Sequence, residues 1–178
     1  MQTELISPVP AADQPAYRAL YESSFPASEK KPFSMIEEKT REGKMSMEGI
    51  YADGQLAGLL ISILHPDAVL IDYLAIDPAF QSRHIGSQVL AQKFAAVEQP
   101  SVMVEIEKPS AEEPDTVRRA AFYERSQMRP MDFDVDLFGV HMELWVYGEP
   151  VTFDSYQNLL VWATWEGARE HILELEHN

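Results

Sequence analysis

Residues Leu70–Leu90, LIDYLAIDPAFQSRHIGSQVL, set the tightest limit on what this chain folds into. An apolar, alternating run reaches Asp77-Pro78, passes through a short polar turn ending in His84-Ile85-Gly86-Ser87, and continues with helical spacing. That order predicts a strand whose C-terminal end hands the chain to a helix N-terminus through a tight turn. The first N–H groups of a helix have no partner within it, and the helix dipole favours negative charge there. A phosphate can therefore sit at such a junction without a basic side chain.

The 178 residues suit one domain with its own core, or a domain of residues 1–150 with a helical extension over 151–178. A formal charge of −15 argues against nucleic acid or an anionic membrane as partner, because both call for a basic face. It suits a cationic small substrate such as an amine, although acidity also serves solubility alone. The absence of cysteine excludes disulfides, thiolate metal sites and a cysteine-acyl intermediate. No apolar run approaches the roughly 20 residues of a membrane span. The start, MQTELISPVPAADQP, lacks the basic and apolar parts of a secretory signal. A cytoplasmic location is the expectation.

Hydrophobic periodicity predicts helices over Pro15–Phe25 and Phe33–Glu42, then strands Met47–Tyr51 and Leu56–Leu64 around the hairpin signal Asp53-Gly54. A third strand, Val69–Ile76, leads to the helix Gly86–Val97, and Ser101–Glu107 returns as a strand. Lys108–Asp115 reads as a loop, Thr116–Met128 as a helix, and Met131–Leu137 with His141–Tyr147 as a last strand pair. The tail Val151–Asn178 reads as an amphipathic helix opened by a capping box of Asp154 and Gln157. Its Trp162 and Trp165 pack on the same domain, or else at a homodimer contact. The order α-α-β-β-β-α-β-α-β-β implies an α/β fold, a mixed sheet with helices on both faces.

Alternation along Val104-Glu105-Ile106-Glu107 puts both acids on one face of a strand that should be central. Central strands are normally buried on both sides, so paired acids there suggest the rim of a cleft. Either acid could take a proton from an attacking ammonium, directly or through water. Both could also simply be solvated at a strand end. Asp72, amid Leu70, Ile71 and Tyr73, is a further carboxylate that either does chemistry or meets a lysine or arginine. The five histidines show no metal-ligand spacing, so no metal is expected. No Walker, dinucleotide or Gly-x-Ser-x-Gly motif occurs.

The segment Gln81-Ser82-Arg83-His84-Ile85-Gly86 resembles the Gln/Arg-x-x-Gly-x-Gly/Ala loop of the GNAT family of N-acetyltransferases, with His84 in place of the first glycine. Histidine tolerates φ > 0 better than most residues, so a glycine-like backbone there stays accessible. Phe122-Tyr123 and the following residues resemble the family's Phe/Leu-Tyr-x-x-x-Gly-Phe segment, with Gln127-Met128 where Gly-Phe is usual. Val-Glu-Ile-Glu is similar to the Leu-Glu-Val of the ribosomal-protein acetyltransferases of that family.

The resemblance covers roughly Leu5 to Tyr147. It implies the acyl-CoA N-acyltransferase fold, with acetyl-CoA as co-substrate lying between the strands that end near Ile76 and Glu107. Leu74, Ala75 and Ile76 would offer backbone groups to the pantetheine arm, while Ser82, Arg83, His84, Ile85, Gly86 and Ser87 would cradle the pyrophosphate. Glu105 is then the candidate base, with Glu107 and Asp72 as reserves. Tyr123 is the candidate acid that protonates the leaving thiolate, unless it is only a core aromatic. Glu29, in the loop Phe25–Phe33, is a candidate grip on a cationic acceptor. The implied activity is direct acetyl transfer to a primary amine of a small molecule or peptide. The alternative is a non-catalytic acyl-CoA-binding or sensor module.

Overall fold

Turn chemistry sets the hairpins of this computed structural model, which describes residues 1–178. Asp53 and Gly54 take φ of 49° and 80°, and Phe138 and Gly139 take 52° and 86°. Two consecutive positive φ values are what a two-residue hairpin turn needs to match the strand twist. The chain divides into two units, Met1–Leu64 with Ile71–Ala96, and His65–Leu70 with Val97–Asn178.

In the first unit the strands run in the order β1 (Thr3–Ile6), β2 (Met45–Ala52), β3 (Gln55–Leu64) and β4 (Val69–Ile76), the last from Ile71 onward. β1 pairs antiparallel with β2, and β2 with β3. Helix α1 (Gln14–Ser24) packs on β3, α2 (Phe33–Arg41) on β2, and α3 (Ile85–Ala96) on β1. The core is apolar: Ile50, Leu59, Ile61, Ile63, Val89 and Leu90 are fully enclosed. Lys93, on α3, is buried and bonded to Glu48 of β2. Removing either partner would strand a buried charge, a loss of roughly 3–5 kcal/mol.

In the second unit the order is β5 (Ser101–Glu107), β7 (Val140–Gly148), β6 (Arg129–Leu137), β8 (Ile172–Glu176), with antiparallel pairing throughout. Helix α4 (Pro114–Arg125) packs on β5, and α5 (Phe153–Ala163) reaches β6 by setting Phe153 against Phe133. No helix is long and apolar enough to cross a membrane.

Two strands lie outside the expected order. β1 has four residues, too few for alternation to register. It is held instead by β2 and by α3, where the Gln92 amide donates to the Thr3 carbonyl at 2.9 Å.

The tail is also not one helix. α5 stops at Ala163, a 3-10 turn covers Glu166–His171, and β8 follows. The sequence Ile-Leu-Glu-Leu-Glu alternates with the period of a strand, and β6 offers it an open edge. The cap is Thr152, whose hydroxyl accepts from the Ser155 amide, in place of the Asp154–Gln157 box. Gln157 turns its amide to the Arg169 and Ile172 carbonyls and so ties the tail down. Trp162 stands edge-on to His65 at 5.0 Å, whereas Trp165 is half exposed beside Phe138.

Candidate active site

The strand-turn-helix junction forms as its sequence implies. Asp77 caps the turn Pro78–Phe80 by accepting from the Ala79 amide at 2.8 Å, and the Gln81 side chain donates to the Ile76 carbonyl. The chain then passes through Ser82 at φ 65° and His84 at φ 58° before α3 begins at Ile85. These two left-handed residues curl the loop ahead of the helix start. Gln81, Ser82, Arg83 and His84 are all exposed, and Gly86 and Ser87 are partly so.

Ile85 is buried, so the part of the first helical turn open to solvent is Gly86 and Ser87, at a helix N-terminus of the kind that holds a phosphate. His84 takes the backbone shape expected of the glycine it replaces. Arg83, over the Phe80 ring at 5.5 Å, is the local cation. This donor set of open amides, hydroxyls and one guanidinium fits a pyrophosphate.

Behind the loop, Ala75 presses against β3. A Cβ on Gly58 would come within 2.4 Å of the Ala75 carbonyl oxygen, so only glycine allows this approach. Leu74, Ala75 and Ile76 are partly exposed at the end of β4.

Asp72 is paired with Lys31, Nζ to Oδ2 at 2.7 Å, so the expected cationic partner exists. The Lys31 segment is strapped down by tyrosines. The Tyr21 hydroxyl donates to the Lys31 carbonyl and the Tyr73 hydroxyl to the Glu29 carbonyl, while the Lys31 amide donates to Tyr73. Glu29 itself is exposed, with a well-held backbone beneath it.

In the second unit, Val104 and Ile106 are buried, and Glu105 and Glu107 share the opposite face of β5. Their surroundings differ. Glu105 accepts a hydrogen bond from the Tyr156 hydroxyl of α5. Glu107 lines a cleft of about 370 Å³ together with Glu113, Pro114, Asp115, Thr116 and Arg119. Three carboxylates and one guanidinium make that cleft acidic. Nothing local in the sequence announces Tyr156 as a partner of Glu105, because the two are 51 positions apart.

Tyr123 is buried on α4, with its ring 5.0 Å from Phe122. Burial pushes its hydroxyl up to about 12, and the nearby Arg119 charge pulls partly the other way. It is thus a neutral donor at any physiological pH. α4 ends in a Schellman motif: the Met128 amide donates to the Tyr123 carbonyl and the Gln127 amide to Glu124, with Gln127 at φ 67°. Gln127 does the work of the usual glycine.

Neither the family models nor the curated proteins contain a match to this chain. Solved structures do match. A protein assigned to the GNAT acetyltransferases, from Bacteroides thetaiotaomicron, superposes with a TM-score of 0.69 over 96% of this chain and 94% of its own, at 20% identity. The chain has the GNAT acetyltransferase fold. The ribosomal-protein alanine N-acetyltransferase of Escherichia coli matches at TM-score 0.63 and 15% identity, over 85% of this chain and 96% of its own. Spermidine N-acetyltransferase from Vibrio cholerae, solved with CoA and spermine, gives 0.62 and 12%, over 87% and 98%. At such identities the GNAT likeness is one of fold. The chemistry has to be argued from this chain's residues.

Proposed function

We propose that this chain transfers an acetyl group from acetyl-CoA to a primary amine, directly and without a covalent enzyme intermediate. One observation carries the reading: an exposed loop, bent by Ser82 and His84 at positive φ, leads into the open N-terminus of α3. The amides of Ile85, Gly86 and Ser87, with the Ser82 and Ser87 hydroxyls and Arg83, bind the pyrophosphate. Backbone groups of Leu74, Ala75 and Ile76 bind the pantetheine arm. Two proteins of this fold support the choice of co-substrate, one solved with CoA and another, from Elizabethkingia anophelis, with acetyl-CoA.

Glu105, oriented by Tyr156, takes the proton from the attacking ammonium, and Glu107 in its acidic cleft is the second candidate. Asp72 ranks below both because its carboxylate is committed to Lys31. Tyr123 gives its proton to the departing CoA thiolate, for which a neutral phenol is the right species. The amine's lone pair attacks the thioester carbonyl to form the C–N bond, the C–S bond breaks as the sulfur takes the Tyr123 proton, and the second nitrogen proton restores the Tyr123 phenol. Glu29 and the net charge of −15 favour a cationic acceptor. The reading is tested by thiol release from acetyl-CoA over a panel of small and peptide amines. Turnover of any acceptor supports it. Tight acetyl-CoA binding with no turnover across the panel would replace it with a sensor module.

A further inference from the structure

The second unit contains a cluster of ionisable groups that the proposed chemistry does not use. Asp134 of β6 is fully buried and sits directly opposite Glu143 of β7, which is 5% exposed. Like charges paired across two strands repel, and burial magnifies the cost unless something answers them. No lysine or arginine lies within ion-pair distance of either acid. Their partners are two imidazoles. His177, just past β8, places Nδ1 at 2.6 Å from Asp134 Oδ1 and 3.8 Å from Glu143 Oε2. His141 places Nε2 at 2.6 Å from Asp134 Oδ2.

A proton on His177 Nδ1 can be given to one acceptor at a time, and it goes to Asp134. Glu143 is then left buried against another acid, with no cation closer than 3.8 Å. One dication in place of that proton answers both carboxylates together. We infer that Asp134, Glu143 and His177 form a site for a divalent transition-metal cation, Zn²⁺ by donor type, with His141 holding the outer oxygen of Asp134.

The geometry allows it. One ligand atom from each of the three residues falls within 4.8 Å of the others. Tetrahedral ligands on bonds of about 2.0 Å stand about 3.2 Å apart, so His177 and Asp134 part by well under an ångström while Glu143, 3.8 Å from His177, draws inward. One nitrogen and two carboxylate oxygens form a set that zinc accepts, leaving a fourth position for water. A carboxylate whose second oxygen is held by an outer histidine matches the way protein ligands are kept in orientation. Both imidazoles are partly exposed, which gives an entry path from solvent. Histidine spacing conceals the site, because its members come from two strands and from the residue after a third, and join only when β8 pairs with β6. The ion would lock the C-terminal strand onto the β6–β7 hairpin.

The test is titration calorimetry of the untagged, EDTA-treated full chain with Zn²⁺, alongside thermal melting. The expected result is one ion per chain and a raised Tm. His177→Ala and Glu143→Gln should each weaken binding at least tenfold and abolish the shift, while His65→Ala should behave as the native chain. Should Glu143→Gln fail to fold by circular dichroism, His177→Ala decides, since it alters a partly exposed residue at the chain end. Absence of binding at 0.1 mM Zn²⁺, or native affinity in the folded variants, would overturn the site.

Discussion

The loop at residues 81–87 and the end of α4 at residues 123–128 solve the same backbone problem with opposite consequences. Each needs a left-handed residue, and each uses a side chain where relatives of this motif use glycine: His84 at φ 58° and Gln127 at φ 67°. At the helix end the strained residue is clamped by two backbone bonds, and the neighbouring Met128 is buried. In the loop His84 and Ser82 stand in the open, and Gly86 and Ser87 beyond them are partly exposed at the start of α3. Closed strain builds a rigid support for Tyr123, and open strain presents donors to a ligand. The same φ therefore serves stability in one place and binding in the other.

If the helix end is where a proton moves and the loop where charge is held, substitutions in the two must fail differently. Tyr123→Phe keeps the ring and removes the proton. It should lower kcat by about 10²-fold or more while leaving acetyl-CoA affinity within about twofold. Because burial holds the hydroxyl up to about 12, kcat should also show no fall from loss of this proton between neutrality and about pH 10. An alkaline inflection near pH 9 that vanishes in Tyr123→Phe would contradict the assignment.

Gly58→Ala drives a methyl into the Ala75 carbonyl. It should cost about 1–3 kcal/mol by denaturant unfolding, since the obstacle is backbone. Ser82→Pro asks for φ near −65° where the loop needs +65°, so it should weaken acetyl-CoA binding more than tenfold. Its unfolding midpoint should stay close to native, because the loop is exposed. The smallest effect separates closed from open strain most cleanly. Gln127→Gly should stabilise the fold by about 0.5–1 kcal/mol in denaturant titration, and leave binding unchanged.

How much of this the sequence disclosed follows from interaction range. Strands Val69–Ile76 and Ser101–Glu107 were legible to the residue because apolar runs meet turn residues at both ends. The Asp53-Gly54 hairpin and the loop before α3 were legible because their signals are local backbone chemistry. β1 and β8 were not, since short edge strands depend on the neighbour they pair with. The tail misled because the polar break at Glu166–His171 is short and the alternation of Ile172–Glu176 after it spans only five residues. For the site, Glu105 and Tyr123 were nameable from spacing and motif. Their partners, and the Lys31 that occupies Asp72, come from distant parts of the chain.

Calorimetric titration of the full chain with acetyl-CoA tests the central claim most directly. The account predicts saturable binding of one acetyl-CoA per chain, weakened more than tenfold in Ser82→Pro with the fold intact. Absence of binding at millimolar acetyl-CoA would contradict both the phosphate-holding loop and the acetyl transfer built upon it.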